Sequence, residues 1–152
     1  MADPDASAPL ELRFPARPDE LRRMRDALRE RLRAWQLDEA CASDVVMAVD
    51  EACQNVIRHA YAGDPGGMIE LAVERAGGEL RIALRDFAPP VDPARIRPRP
   101  LDELRPGGLG THLIRSAMDH TELGRPPSGP GNLLRMVKKI ARGKTDGPCG
   151  TR

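Results

Sequence analysis

Three side chains able to do chemistry recur at every fourth position: Glu51, Asn55 and His59. At about 100° per residue, each step of four turns an α-helix by about 40°, so the three form one drifting ridge. On the same helix Val45, Val49, Cys53, Val56 and Ala60 fall within roughly 40° of one direction and read as its buried stripe. By this geometry Glu51 points nearly opposite the core. His59 lies nearest to it, as a packed helix residue. A carboxylate and an amide one turn apart can share one ligand or one metal ion, yet the same spacing is ordinary on a solvated face. Asp86 ends an alternating segment, where a carboxylate can accept from a buried donor or cap a turn. Farther on, Gly107-Gly108-Leu109-Gly110-Thr111 precedes another helix. Glycines let backbone N–H groups approach an anion, and a helix N-terminus favours negative charge. The turn is not a Walker A loop, which needs a Lys-Ser/Thr pair. Nor is it a dinucleotide fingerprint, since no parallel strand leads into it.

Positioning these groups falls to a simple set of elements. Residues 10–14 alternate as a short strand. Residues 19–34 place Leu21, Met24, Leu28 and Leu32 at helical spacing, with Arg22, Arg25, Arg29 and Arg33 on the solvated side. Trp35 follows as a packing or interface anchor. The second helix runs from Asp38 or Ser43 to Tyr61 and stops at Gly63-Asp64-Pro65-Gly66-Gly67. Ile69, Leu71 and Val73 share one face of 68–75, and Leu80, Ile82 and Leu84 one face of 79–86. Joined by Ala76-Gly77-Gly78, the two segments read as a β-hairpin. Six prolines in 88–106 exclude a continuous helix or central strand there. A loop of that length in a compact domain is usually functional. A helix over 109–119 follows, then two strands, the last near 133–140. Hairpins combined with helices that cannot be parallel crossovers predict an α+β domain.

Composition narrows the class. The 152 residues carry 24 basic and 23 acidic side chains, a net charge of +1, and 40% hydrophobic residues. That suits one soluble globular domain and lacks the basic excess of a protein dominated by nucleic-acid binding. No apolar run approaches the roughly 20 residues that span a bilayer. The three cysteines form no CxxC pair. An odd count without a secretory signal fits a reducing, cytoplasmic setting and no zinc site. The domain is expected over 10–140, between a flexible 1–9 and a disordered tail over 141–152.

In this order, the ExxxNxxxH helix, the hairpin ending in Asp86, the proline-rich loop and the GGxG turn opening a helix are a specific combination. They resemble the GHKL nucleotide-binding family of gyrase, Hsp90, histidine kinases and MutL. Within it the chain is similar to the small anti-sigma-factor serine/threonine protein kinases. The stretches that carry the likeness are 50–61, 85–93, 107–115 and 131–136, and it extends over roughly 10–140.

The resemblance implies a Bergerat ATP-binding fold: a two-layer α/β sandwich with helices on one face of a mixed, largely antiparallel sheet. It implies ATP and Mg²⁺ as cofactors, Asn55 as the Mg²⁺ ligand and Glu51 as general base. Asp86 would bind the adenine amine, with Ala88 beside it. Arg105, Gly107, Gly108, Gly110 and Thr111 would line the nucleotide, under a lid over 93–106. Implied partners are a sigma factor, a STAS-domain antagonist that is phosphorylated, and a second copy of the chain, with neither nucleic acid nor membrane. The alternative is a nucleotide-dependent binding switch without useful kinase activity. Only the kinase needs Glu51 as a base.

Overall fold

The computed structural model describes residues 7–89 and 108–140. The expectations for residues 1–6, for the lid over 93–106 with Arg105 and Gly107, and for the tail from 141 lie outside them. The chain forms β1 (Leu10–Pro15), a single 3-10 turn (Pro18–Glu20), α1 (Leu21–Ala34) and α2 (Glu39–Asn55). A π-helical turn (Val56–Ala60) continues α2 directly. Then come β2 (Met68–Ala76), β3 (Glu79–Asp86), α3 (Gly108–Ala117), β4 (His120–Gly124) and β5 (Asn132–Lys139). The strands make one sheet in the order β1-β2-β3-β5-β4, and every neighbouring pair is antiparallel. The sequence had left room for a mixed sheet. None of its pairs is parallel, because each neighbour is reached by a turn or a helical excursion that brings the chain back in the opposite direction.

Alternation puts Leu10 and Phe14, Ile69, Leu71 and Val73, Leu80, Ile82 and Leu84, and Met136 into one buried layer. The predicted stripe of α1 completes it: Leu21, Met24, Leu28 and Leu32 are all buried. Trp35, just past α1, is buried too, with the Arg31 guanidinium 5.7 Å from its ring; it packs inside rather than offering an interface. Asp38 starts α2 by accepting the Cys41 N–H at 2.6 Å, an N-cap that satisfies an otherwise orphaned donor. Arg25 ties the two helices together through a 2.8 Å ion pair with Asp50. At the other end of the layer Lys138, itself buried, donates to the carbonyl of Ala117 at 2.5 Å and so holds the last turn of α3 to the sheet.

The end of α2 departs from the sequence reading. Val45, Val49 and Cys53 are buried as expected, but Val56 and Ala60 are only half-buried and Ile57 takes the core position. His59, expected near the core, is exposed. The cause is the π turn: the Tyr61 N–H bonds the Val56 carbonyl, five residues back, at 3.0 Å, so steps of 100° cease to apply over this stretch.

The chain then turns through Ala62 and Gly63, both at positive φ, and Tyr61 is pinned between two strands. Its hydroxyl donates to the Met68 carbonyl and accepts the Phe87 N–H, each at 2.7 Å. The ring lies so close to Gly67 that a Cβ there would meet it at 2.5 Å. Tyr61 thus links the end of α2 to the segment after Asp86. Tyr61→Phe leaves both backbone groups without this partner and should cost about 1–3 kcal/mol, read as a lower urea midpoint with an unchanged slope.

Candidate functional site

Asp86 is the last residue of β3 and is buried, at 4% exposure. Burial raises its pKa above the ordinary carboxylate value, and hydrogen bonds from Asn132 and Ala88 oppose that rise. The Asn132 Nδ2 donates to Asp86 Oδ1 at 2.9 Å and to the Pro89 carbonyl at 3.2 Å. The Ala88 N–H donates to the same Oδ1 at 2.9 Å. Sheet register creates this arrangement, because Asp86 and Asn132 face each other across β3 and β5. Gly131 makes the approach possible. It sits at φ +109°, and a Cβ there would lie 1.8 Å from the Asp86 carbonyl oxygen. Ala88 is buried and, unlike Gln36 and Ala62, holds no positive φ, so its methyl group fits where it stands.

The second group of residues lies on α2 and the π turn. Glu51 is half-buried, its side chain 19% exposed, although a single helical wheel points it away from the core. The helix contacts both α1 and α3, neighbours that a single wheel does not represent, while Met47 and Ser43, one and two turns before Glu51, stay exposed. The Arg58 Nη2 stands 3.3 Å from Glu51 Oε1 and 3.5 Å from Asn55 Oδ1. Side chains tilt toward the N-terminus of their helix, which lets Arg58 reach back over Asn55 to Glu51. A cation therefore already rests against both oxygens.

The glycine turn meets these elements through α3. Gly108 is the first residue of that helix, and Gly110 and Thr111 lie within its first turn. Among the described residues no cluster of three or more His, Cys, Asp or Glu side chains is placed to hold a metal ion. An ion at Asn55 would take most of its ligands from phosphate and water, an arrangement that suits Mg²⁺. A shallow depression of about 450 Å³, lined by Glu11, Arg13, Glu70 and Arg85 among others, contains none of the predicted site residues.

Two participants escaped the sequence reading. Asn132 could have been found by pairing the ends of β3 and β5, since the residue opposite a buried carboxylate must be a donor. Arg58 reaches Glu51 from within the π turn, a departure from regular helix geometry that no spacing rule reports.

The histidine kinase-like ATPase domain family matches residues 14–138, and the chain belongs to that family. The serine-protein kinase RsbW of Halalkalibacterium halodurans is 32% identical over 111 residues, 68% of this chain and 65% of its own length. The chain thus spans just under two thirds of that relative. The RsbW of Oceanobacillus iheyensis is 26% identical over 145 residues, 90% of each chain. In the structure of the RsbU and RsbW domains of Rv1364c from Mycobacterium tuberculosis, the likeness covers 89% of this chain and 33% of the other, at TM-score 0.64 and 22% identity. The SiaB–SiaC complex of Pseudomonas aeruginosa gives a TM-score of 0.60 at 23% identity, over 84% of this chain and 89% of that one. These two structures share the α+β fold expected from the sequence.

The raised pKa of Asp86 fixes the sign of a pH effect. The folded protein binds this proton more tightly than the unfolded chain, so between the ordinary carboxylate pKa and the raised one stability falls as pH rises. Asp86→Asn should flatten that part of the stability–pH curve, measured by urea unfolding. Gly131→Ala, which combines positive φ with backbone overlap, should destabilise by more than about 1 kcal/mol.

Proposed function

We propose that the chain is an ATP-dependent protein serine kinase of a partner-switching pathway. In this reading it holds a sigma factor inactive and phosphorylates a STAS-domain antagonist. The observation that carries it is the paired Glu51 and Asn55 oxygens, one helical turn apart and bridged by the Arg58 guanidinium. A carboxylate is thereby fixed beside a neutral oxygen that already faces a positive charge. The similarity to proteins named serine-protein kinase RsbW supports the same reading.

Each residue then has a role that its surroundings permit. Asp86, anchored through Oδ1 by Asn132 and Ala88, accepts the adenine amine. Backbone N–H groups at the start of α3 face the phosphates, where the helix N-terminus favours anions. Asn55 would hold Mg²⁺, which when bound neutralises phosphate charge. Glu51 takes the proton of the acceptor hydroxyl. Phosphoryl transfer asks for this kind of positioning and charge neutralisation more than for covalent chemistry by the protein. The phosphate gained by the partner adds a charge of about −1.5 to −2, enough to repel an acidic docking surface and separate the pair. Pairing of two copies of the chain and a cytoplasmic location belong to the same reading. Among the described residues no helix is long and apolar enough to cross a membrane.

The test is γ-labelled ATP with Mg²⁺ and the purified STAS-domain proteins of the same genome. Acid-stable label should appear on a serine of one of them. Acid-labile label on the chain itself, with none on a partner, would overturn the proposal. Glu51→Ala should keep ATP affinity while transfer slows by about 10²–10⁴-fold, the usual worth of a general base. Retained nucleotide and partner binding with no transfer in the unaltered protein would favour the binding-switch alternative.

A further inference from the structure

Arg58 has no part in the roles just described, yet it is the cation in contact with both Glu51 and Asn55. It is 44% exposed at the side chain, against 19% for Glu51. An exposed ion pair of this kind adds little to stability, so stability does not account for its geometry. Position does. The contact spans seven residues, from the π turn back to the middle of α2. The π turn fixes where Arg58 begins, and single π turns within helical segments are frequent at functional sites. A free glutamate on a helix samples several rotamers. Here one oxygen, Oε1, lies 3.3 Å from the guanidinium, a contact that restricts the carboxylate and does not involve its other oxygen.

We infer that Arg58 is a positioning residue for Glu51: it holds Oε1 so that Oε2 is presented to the hydroxyl of the phosphate acceptor. The inference rests on the proposed role of Glu51 as general base. The chemistry stays with Glu51, whose Oε2 takes the hydroxyl proton as the acceptor oxygen bonds to the γ-phosphorus and the bond to the ADP oxygen breaks. Arg58 gives and takes no proton. The same guanidinium touches Asn55 Oδ1 at 3.5 Å, longer than the contact to Glu51. Lysine at position 58 can still provide a cation, though not the planar fork of the guanidinium.

The experiment compares Arg58→Ala, Arg58→Lys, Glu51→Ala and the Glu51/Arg58 double variant with the unaltered chain. Transfer of label from ATP to the STAS-domain acceptor gives the rate, and calorimetric titration with ATP and Mg²⁺ gives nucleotide affinity. Arg58→Ala should slow transfer tenfold or more while the nucleotide Kd stays within about twofold, and Arg58→Lys should recover most of the rate. Because Arg58 acts through Glu51, its removal should cause no further loss in the Glu51→Ala background, the non-additivity expected of coupled residues. Undiminished transfer by Arg58→Ala overturns the inference. So does a fall in affinity that matches the fall in rate, which would make Arg58 a phosphate contact. If the unaltered chain transfers nothing, the kinase reading fails and this inference fails with it; if Glu51→Ala transfers normally, Glu51 is not the base and the inference fails while the kinase reading stands. If Glu51→Ala is inactive and Arg58→Ala is not, only the inference about Arg58 fails.

Discussion

One hydrogen bond organises the site: Asn132 Nδ2 to Asp86 Oδ1, across the register of β3 and β5. A buried carboxylate is costly unless donors surround it, and here the donors come from the start of β5 and from the segment just after β3. Several otherwise arbitrary residues follow from that constraint. Gly131 must lack a Cβ, because the chain passes against the Asp86 carbonyl. Ala88 must bring its N–H back to the carboxylate. Tyr61 holds the intervening Phe87 by its N–H and so joins the Asp86 corner to the end of α2. The helix that carries Glu51 and Asn55 is thereby tied to the residue proposed to read the adenine.

The second constraint is the change of helical form after Asn55. Up to that point α2 is an ordinary core helix, capped by Asp38 and packed through Val45, Val49 and Cys53. Burial pushes the Cys53 thiol pKa far up, with Asp50 adding to the shift, which suits packing rather than reactivity. From Val56 the turn widens. Ile57 enters the core, His59 leaves it, and Arg58 lies over the polar ridge. The site is thus built where a rigid element gives way to a less regular one, with Arg58 on the irregular part reaching back to Glu51 on the rigid part.

Much of this was legible in the sequence because it rests on periodicity. The stripe of Leu21, Met24, Leu28 and Leu32 located α1, and period-two alternation located the hairpin with Asp86 at its end. The ExxxNxxxH spacing picked out the ridge on α2. What escaped depends on distant contacts or on departures from ideal geometry. Glu51 is half-buried and in contact with Arg58, a side chain that reaches it from the π turn, which one helical wheel cannot represent. His59 was misplaced because the π turn breaks the 100° step. Asn132 is recognisable as a partner of Asp86 only once β3 and β5 are paired in register. For β4, the sequence supplied the strand in its order but no residues, since His120–Gly124 is short and four-fifths polar or glycine, and it pairs only with β5.

Asp86 as an anchored acceptor makes a claim about the base of the nucleotide. Adenine presents an amino group where guanine presents a carbonyl, and a carboxylate fixed by Asn132 and Ala88 cannot turn to relieve the clash of two acceptors. Losing a hydrogen bond to a charged group is worth about 1.5–3 kcal/mol, or roughly ten- to more than a hundredfold in affinity. The decisive measurement is calorimetric titration of the unaltered chain with ATP and with GTP, each with Mg²⁺. The account predicts that ATP binds at least tenfold more tightly than GTP; equal affinities would contradict it.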